Sequence, residues 1–186
     1  MNRLAVVSAL AALGIGGQAA AADFSYHYID AGLILADAPG SNDGKGLALN
    51  GSMNLPQLYQ NATVFDGLNY IDFDGDNLLN LEAGLGFHWP IARPVDFTGG
   101  VALEFNHYSG GGGSDLGFGL NAGVRARPFA PQWELDGGLK YVNIGHYDDT
   151  SVVIGARYSF QPGLSAGVAL SSGDTDYWLL SVRWEL

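Results

Sequence analysis

A chain of 186 residues with eight Lys/Arg against nineteen Asp/Glu carries a formal net charge of −11. That acidity excludes the basic surface that nucleic-acid phosphates require. With no cysteine, neither a disulfide framework nor acylation of a lipoprotein cysteine is available. The length suits one folded domain, and the 28 glycines follow no collagen period.

Residues 1–22 have the grammar of a cleaved secretory signal. Arg3 supplies a positive start, Leu4 to Ile15 a short apolar run, Gly16-Gly17-Gln18 a break, and Ala19 to Ala22 small-residue cleavage sites. The apolar run is well short of the ~20 residues a spanning helix needs. Cleavage is expected after Ala22, with Ala20 and Ala21 as neighbouring alternatives, leaving 23–186 as a single domain.

From there the dominant pattern is alternation with period two, the signature of β-strands that present different faces to different surroundings. It predicts ten strands, near 24–36, 45–54, 61–73, 78–88, 95–107, 115–127, 132–144, 151–160, 164–172 and 177–186. The first and third alternate less cleanly, and losing one of them to a merger gives the alternative count of eight. In the fourth, Leu79, Leu81, Ala83, Leu85, Phe87 and Trp89 oppose Asn80, Glu82, Gly84, Gly86 and His88. The last sets Trp178, Leu180, Val182, Trp184 and Leu186 against Leu179, Ser181, Arg183 and Glu185.

Connections fall into two alternating classes. Those after odd strands are acidic and glycine-rich: Asp37 to Gly44, Asp74 to Asn77, Ser109 to Ser114, His146 to Thr150, and Ser172 to Asp176. Those after even strands carry proline: Leu55-Pro56-Gln57, Trp89 to Pro94, Pro128 to Pro131, and Gln161-Pro162-Gly163. Proline ends a strand without removing a ladder hydrogen bond.

The charges decide between a soluble sandwich and a membrane barrel. Arg125, Arg127, Lys140, Arg157 and Arg183 share the polar face of their strands with Glu82, Glu104, Glu134, Asp136 and Glu185, while the opposite face of strands four to ten carries no charge. A basic residue facing lipid at mid-membrane costs ~2–4 kcal/mol. The polar face is also rich in glycine, which suits a cramped interior. The expected fold is therefore all-β: a transmembrane antiparallel up-and-down β-barrel in the outer membrane of a Gram-negative cell. Proline turns would face the periplasm and acidic loops the exterior. The competing fold is a soluble periplasmic β-barrel.

The inward charges are expected to pair and plug the lumen, because unpaired charges there are expensive. The functional alternative is a narrow polar channel. No catalytic, cofactor-binding or metal-ligating residue is assigned. Asp72 to Asn77 clusters carboxylates but lacks the frame and the late bidentate Glu of a calcium loop. The four histidines (His27, His88, His107 and His146) show no ligand spacing. Expected partners are outer-membrane lipid and lipopolysaccharide, with the barrel-assembly machinery during biogenesis. No protein partner is indicated.

Two resemblances add to this. Phe105-Asn106-His107-Tyr108-Ser109, at the outer end of the fifth strand, resembles the His-x-Ser motif of PagL-type lipid A deacylases. That likeness implies a Ser–His nucleophile pair, His107 and Ser109, at the outer leaflet. It departs from the family at Gly110 and lacks its downstream orienting Glu, the next acid being Asp115. Across strands four to seven, Leu85-Gly86-Phe87-His88-Trp89-Pro90-Ile91, the strand Val101 to Tyr108, Gly123-Val124-Arg125-Ala126-Arg127-Pro128 and Leu135 to Val142 resemble the YfaZ family of small outer-membrane proteins. That resemblance implies a barrel with a structural or surface role and supplies no catalytic residues.

Overall fold

A computed structural model describes residues 24–37, 43–109 and 113–186. The signal segment at 1–22 and its cleavage sites lie outside the described residues, as do parts of the first and third acidic loops. Ten strands form: β1 Tyr28–Asp37, β2 Gly44–Asn54, β3 Ala62–Phe73, β4 Asp76–Ala92, β5 Val95–Tyr108, β6 Gly113–Ala126, β7 Trp133–Ile144, β8 Tyr147–Gln161, β9 Leu164–Ser172 and β10 Asp176–Glu185. Each pairs antiparallel with its sequence neighbours, and β10 closes on β1, with Tyr28 opposite Glu185 and Asp37 opposite Asp176. Among the described residues the count is ten, not eight, and the sheet closes on itself without a free edge strand.

The wall is inverted relative to a soluble barrel. Glu104 is 1% exposed, whereas its neighbour Leu103, on the other face of the same strand, is 65% exposed. Asp30, Arg125 and Glu134 are also buried, while Leu33, Leu47, Leu116 and Trp184 stand open on the outside. Aromatic side chains ring both ends of this outer belt. Trp89, Trp133, Tyr158, Phe160 and Trp184 lie toward the end where the chain begins, with Tyr70, Phe118, Tyr147 and Trp178 toward the other.

Strand ends differ most from the sequence expectation in three places. Residues 24–27 precede β1 and do not extend it. β4 runs on through Pro90 to Ala92, so Trp89 to Ala92 is strand and not connection. The register against β5 shifts between Pro90 and Ala92, which absorbs the ladder bond proline cannot donate. The turn itself is reduced to Arg93-Pro94, joined by a cis peptide. β8 starts at Tyr147, so most of the predicted His146 to Thr150 loop is strand, and Asp148 reaches the outward face at its tip.

At the third-to-fourth hairpin the link is the two residues Asp74-Gly75, with φ of 58° and 118°. Both angles are positive, as the tight turn matching strand twist demands, and Asp-Gly is the pair that tolerates it.

Candidate functional site

The lumen is filled in tiers, each built from side chains that alternation sends inward. At the end bearing the proline turns, Glu134 on β7 accepts from Arg125 Nε at 2.7 Å and lies 3.4 Å from both Arg127 Nη2 and Arg183 Nη1. Arg183 on β10 also reaches Asp30 Oδ2 at 3.2 Å, and Arg157 Nη2 on β8 donates to the same oxygen at 2.6 Å. Two carboxylates thus hold four guanidiniums, with Arg183 shared between them. Each group is expensive to desolvate alone, and multiple partners offset that cost.

Residues 24–27 close the mouth beneath this tier. Arg125 Nη1 donates to the Ser25 carbonyl at 2.8 Å, and its guanidinium stacks 5.0 Å from the Phe24 ring and 4.9 Å from the Tyr26 ring. Tyr26 stacks on His88 at 4.0 Å and donates its hydroxyl to Asp96 Oδ2 at 2.9 Å. Burial pushes the Tyr26 phenol well above its ordinary pKa, against the pull of Arg125 and with added push from Asp96, so it stays a donor.

In the middle tier, Glu82 on β4 and Glu104 on β5 are direct cross-strand partners. Like charges so placed repel. Lys140 on β7 resolves the conflict from across the lumen, with Nζ 2.7 Å from Glu82 Oε2 and 2.8 Å from Glu104 Oε1. Asn80 donates to Glu104 at 3.2 Å and to Asn106 at 2.8 Å, and accepts from Asn69 at 3.1 Å. Gly119 faces Glu104 with no side chain, and any Cβ there would stand 2.6 Å from Glu104 Oε1.

Toward the acidic-loop end the packing turns apolar. Ile34, Ala36, Ala48, Ile71 and Leu78 form a buried cluster, supported by Phe73, Tyr177 and Leu179.

The five basic residues predicted to point inward all do so. Asp30, not singled out from the sequence, takes Arg157 and Arg183, and Asp96 accepts from Tyr26, whereas Asp136 lies against Gly155. The usable signal for Asp30 was its place directly opposite Arg183 once β1 pairs with β10.

His107 and Ser109 are not brought together as a pair. His107 Nδ1 instead meets Ser114 Oγ on β6 at 2.8 Å, on the exposed outer face, while Ser109 Oγ accepts from the Asn77 backbone N–H at 2.8 Å. His-x-Ser spacing puts two side chains on one face of one strand, but here the cross-strand neighbour of His107 is Ser114.

No family model matches the chain, and no curated protein sequence does. Among solved structures it resembles the KdgM porin, at 12% identity and a TM-score of 0.50, over 86% of this chain and 99% of that one. It also resembles Neisserial surface protein A, at 17% identity and a TM-score of 0.46, over 87% and 98% of the two chains. A third likeness is to Ail of Yersinia pestis, at 12% identity and a TM-score of 0.43, over 88% and 100%. These neighbours are small bacterial outer-membrane β-barrels, and at such identities the likeness concerns the fold.

Proposed function

We propose that the chain is a small outer-membrane β-barrel of YfaZ type, with a charge-plugged lumen and a structural or surface-interaction role and not a catalytic one. The observation that carries this is the inversion across one strand, with Glu104 sealed inside and Leu103 open outside. A wall whose outer belt is leucine, valine and tryptophan, and whose interior is ionic, is stable where its surroundings are lipid. The secretory grammar of residues 1–22, with cleavage after Ala22, supports export. In that setting the proline turns and the Phe24–His27 segment face the periplasm, and the acidic loops face outward. The barrel-assembly machinery would insert the chain, and lipid and lipopolysaccharide would contact its belt.

Lipid and extracellular contacts are the interactions this reading expects, because ion-paired side chains cross the lumen at two levels. Two measurements test the proposal. Purified outer membranes should contain a band that migrates differently before and after boiling; recovery in the soluble periplasmic fraction refutes it. In planar bilayers the folded protein should show no stable single-channel conductance; reproducible steps of defined size would turn the lumen into a channel.

A further inference from the structure

Among the described residues, one acid stands on the outer face within the belt and not at a strand tip. Asp66 lies in β3 between Val64 and Leu68, all three pointing outward, and it is exposed. The five inward basic residues are all ion-paired, but Asp66 makes no hydrogen bond or ion pair with any described residue. Its position is near the middle of the belt, with Tyr70 above on the same strand and Trp89 below on the next. A side chain as short as aspartate cannot reach either interface from there, unlike a snorkelling lysine.

The surroundings are built to take it. Its cross-strand partners are Gly51 on β2 and Ala83 on β4, so both flanks are low. The carboxylate lies over Gly51, where a Cβ would come within 2.7 Å of Asp66 Oδ1. Small residues around a polar group are how membrane-embedded surfaces approach closely and exchange hydrogen bonds, since lipid gives apolar surfaces no reason to associate. An ionisable residue facing lipid points to a partner.

This chain's own charges narrow the choice of occupant. Among the described residues every lysine and arginine is either inward or at an end: Lys45 begins β2 and Arg93 sits in a turn. Copies inserted in one membrane share one orientation, so a two-fold axis between them must run along the membrane normal. Each residue then meets its own copy at its own depth. Asp66 therefore meets Asp66, and one proton held between the two carboxyls makes one a donor and the other an acceptor. A different barrel would need a cation or donor on its lipid face at mid-depth, where a cation costs ~2–4 kcal/mol.

We infer that the β2–β3 outer face is the interface of a homodimer, centred on Asp66 in the notch formed by Gly51 and Ala83. This rests on the membrane placement proposed above. The absence of cysteine makes the test direct. Single cysteines are introduced by Leu68→Cys, beside Asp66, and by Leu139→Cys on the β7 wall, and intact outer membranes are oxidised with copper-phenanthroline. Leu68→Cys should give a disulfide-linked band at twice the monomer mass, at least tenfold above Leu139→Cys.

Adding Asp66→Leu should reduce that band at least tenfold, whereas Asp66→Asn, which keeps a donor and an acceptor, should retain at least half of it. Ala83→Met, which fills the notch and leaves Asp66 intact, should also reduce it. Heat-shift gels on each variant establish that it is folded. A folded chain in which Leu68→Cys links no better than Leu139→Cys, or in which Asp66→Leu leaves the dimer unchanged, overturns the interface alone. Linkage only to a product of another mass does the same by revealing a different partner. Recovery of the chain in the soluble periplasm overturns the membrane placement as well.

Discussion

Replacing Lys140 with methionine keeps most of the side chain's length and removes its charge. Glu82 and Glu104 would then face one another with no cation between them. Their bonded oxygens lie 2.7 and 2.8 Å from Nζ, so they are at most about 5.5 Å apart. At an effective dielectric constant near 20, two unit charges at that separation repel by about 3 kcal/mol. Removing one partner of a buried ion pair costs about 3–5 kcal/mol in general. The Lys140 side chain is 28% exposed to the lumen, which favours the lower end, about 3 kcal/mol.

The assay is urea unfolding of the folded protein in lipid vesicles, read by the fraction that retains its heat-shifted mobility. Glu104→Gln in the Lys140→Met background should recover most of the loss, because it removes the repulsion while leaving an amide for Asn80 to bond. A loss under about 1 kcal/mol for Lys140→Met, or no recovery in the double variant, would refute the assignment of Lys140 as the group that makes the glutamate pair tolerable.

Three further outcomes follow from the same geometry. Leu180→Arg, on the outer face in the middle of β10, should cost about 2–4 kcal/mol of folding free energy in vesicles, and Trp184→Arg near the end of the belt about 0–1 kcal/mol for the charge alone. Equal costs for these charges after subtracting matched neutral substitutions would argue against lipid around the belt. Asp30→Leu should destabilise by about 3–5 kcal/mol, because Arg157 and Arg183 lose the oxygen they share, and the same unfolding curve checks it. Gly119→Leu drives a side chain into Glu104 and should cost at least about 1–3 kcal/mol on the same curve; an unchanged curve would mean that Glu104 does not pack over Gly119.

The wall was legible in the sequence because period two is local. Leu79 through Trp89 needs no knowledge of the rest of the chain to be read as one face, and neither does the charge on the other. What stayed hidden was set by non-local pairing. Asp30 became a pairing group only when β10 closed against β1 and brought Arg183 opposite it. Tyr26 sits before the first strand, so alternation predicted a strand residue where the chain instead folds into the mouth and stacks on His88.

Pro90 signalled a turn by composition, yet a register shift lets a strand carry it. His107 and Ser109 attracted attention by their spacing, but a strand residue's nearest outward neighbour is across the ladder, where Ser114 stands. Asp66 was hidden in the third strand's imperfect alternation, and that imperfection is the acid on the outer face.

The tiers explain how so small a barrel manages without an apolar core through its whole length. In a soluble protein the interior would be leucine, but here leucine is needed outside, and the inward face must be filled by what remains. Isolated ions would make that filling unstable, so each is tied to a partner, and three of the ties run between strands that are not ladder neighbours. Arg183 on β10 reaches Glu134 on β7, Arg157 on β8 reaches Asp30 on β1, and Lys140 on β7 reaches Glu82 on β4. These three ties span part of the lumen as well as satisfying charge, so they brace the wall across its interior while the ladder braces it around its circumference. The same bonds that hold the barrel also cross its interior, so the groups that brace the wall are the groups that would meet anything entering the lumen.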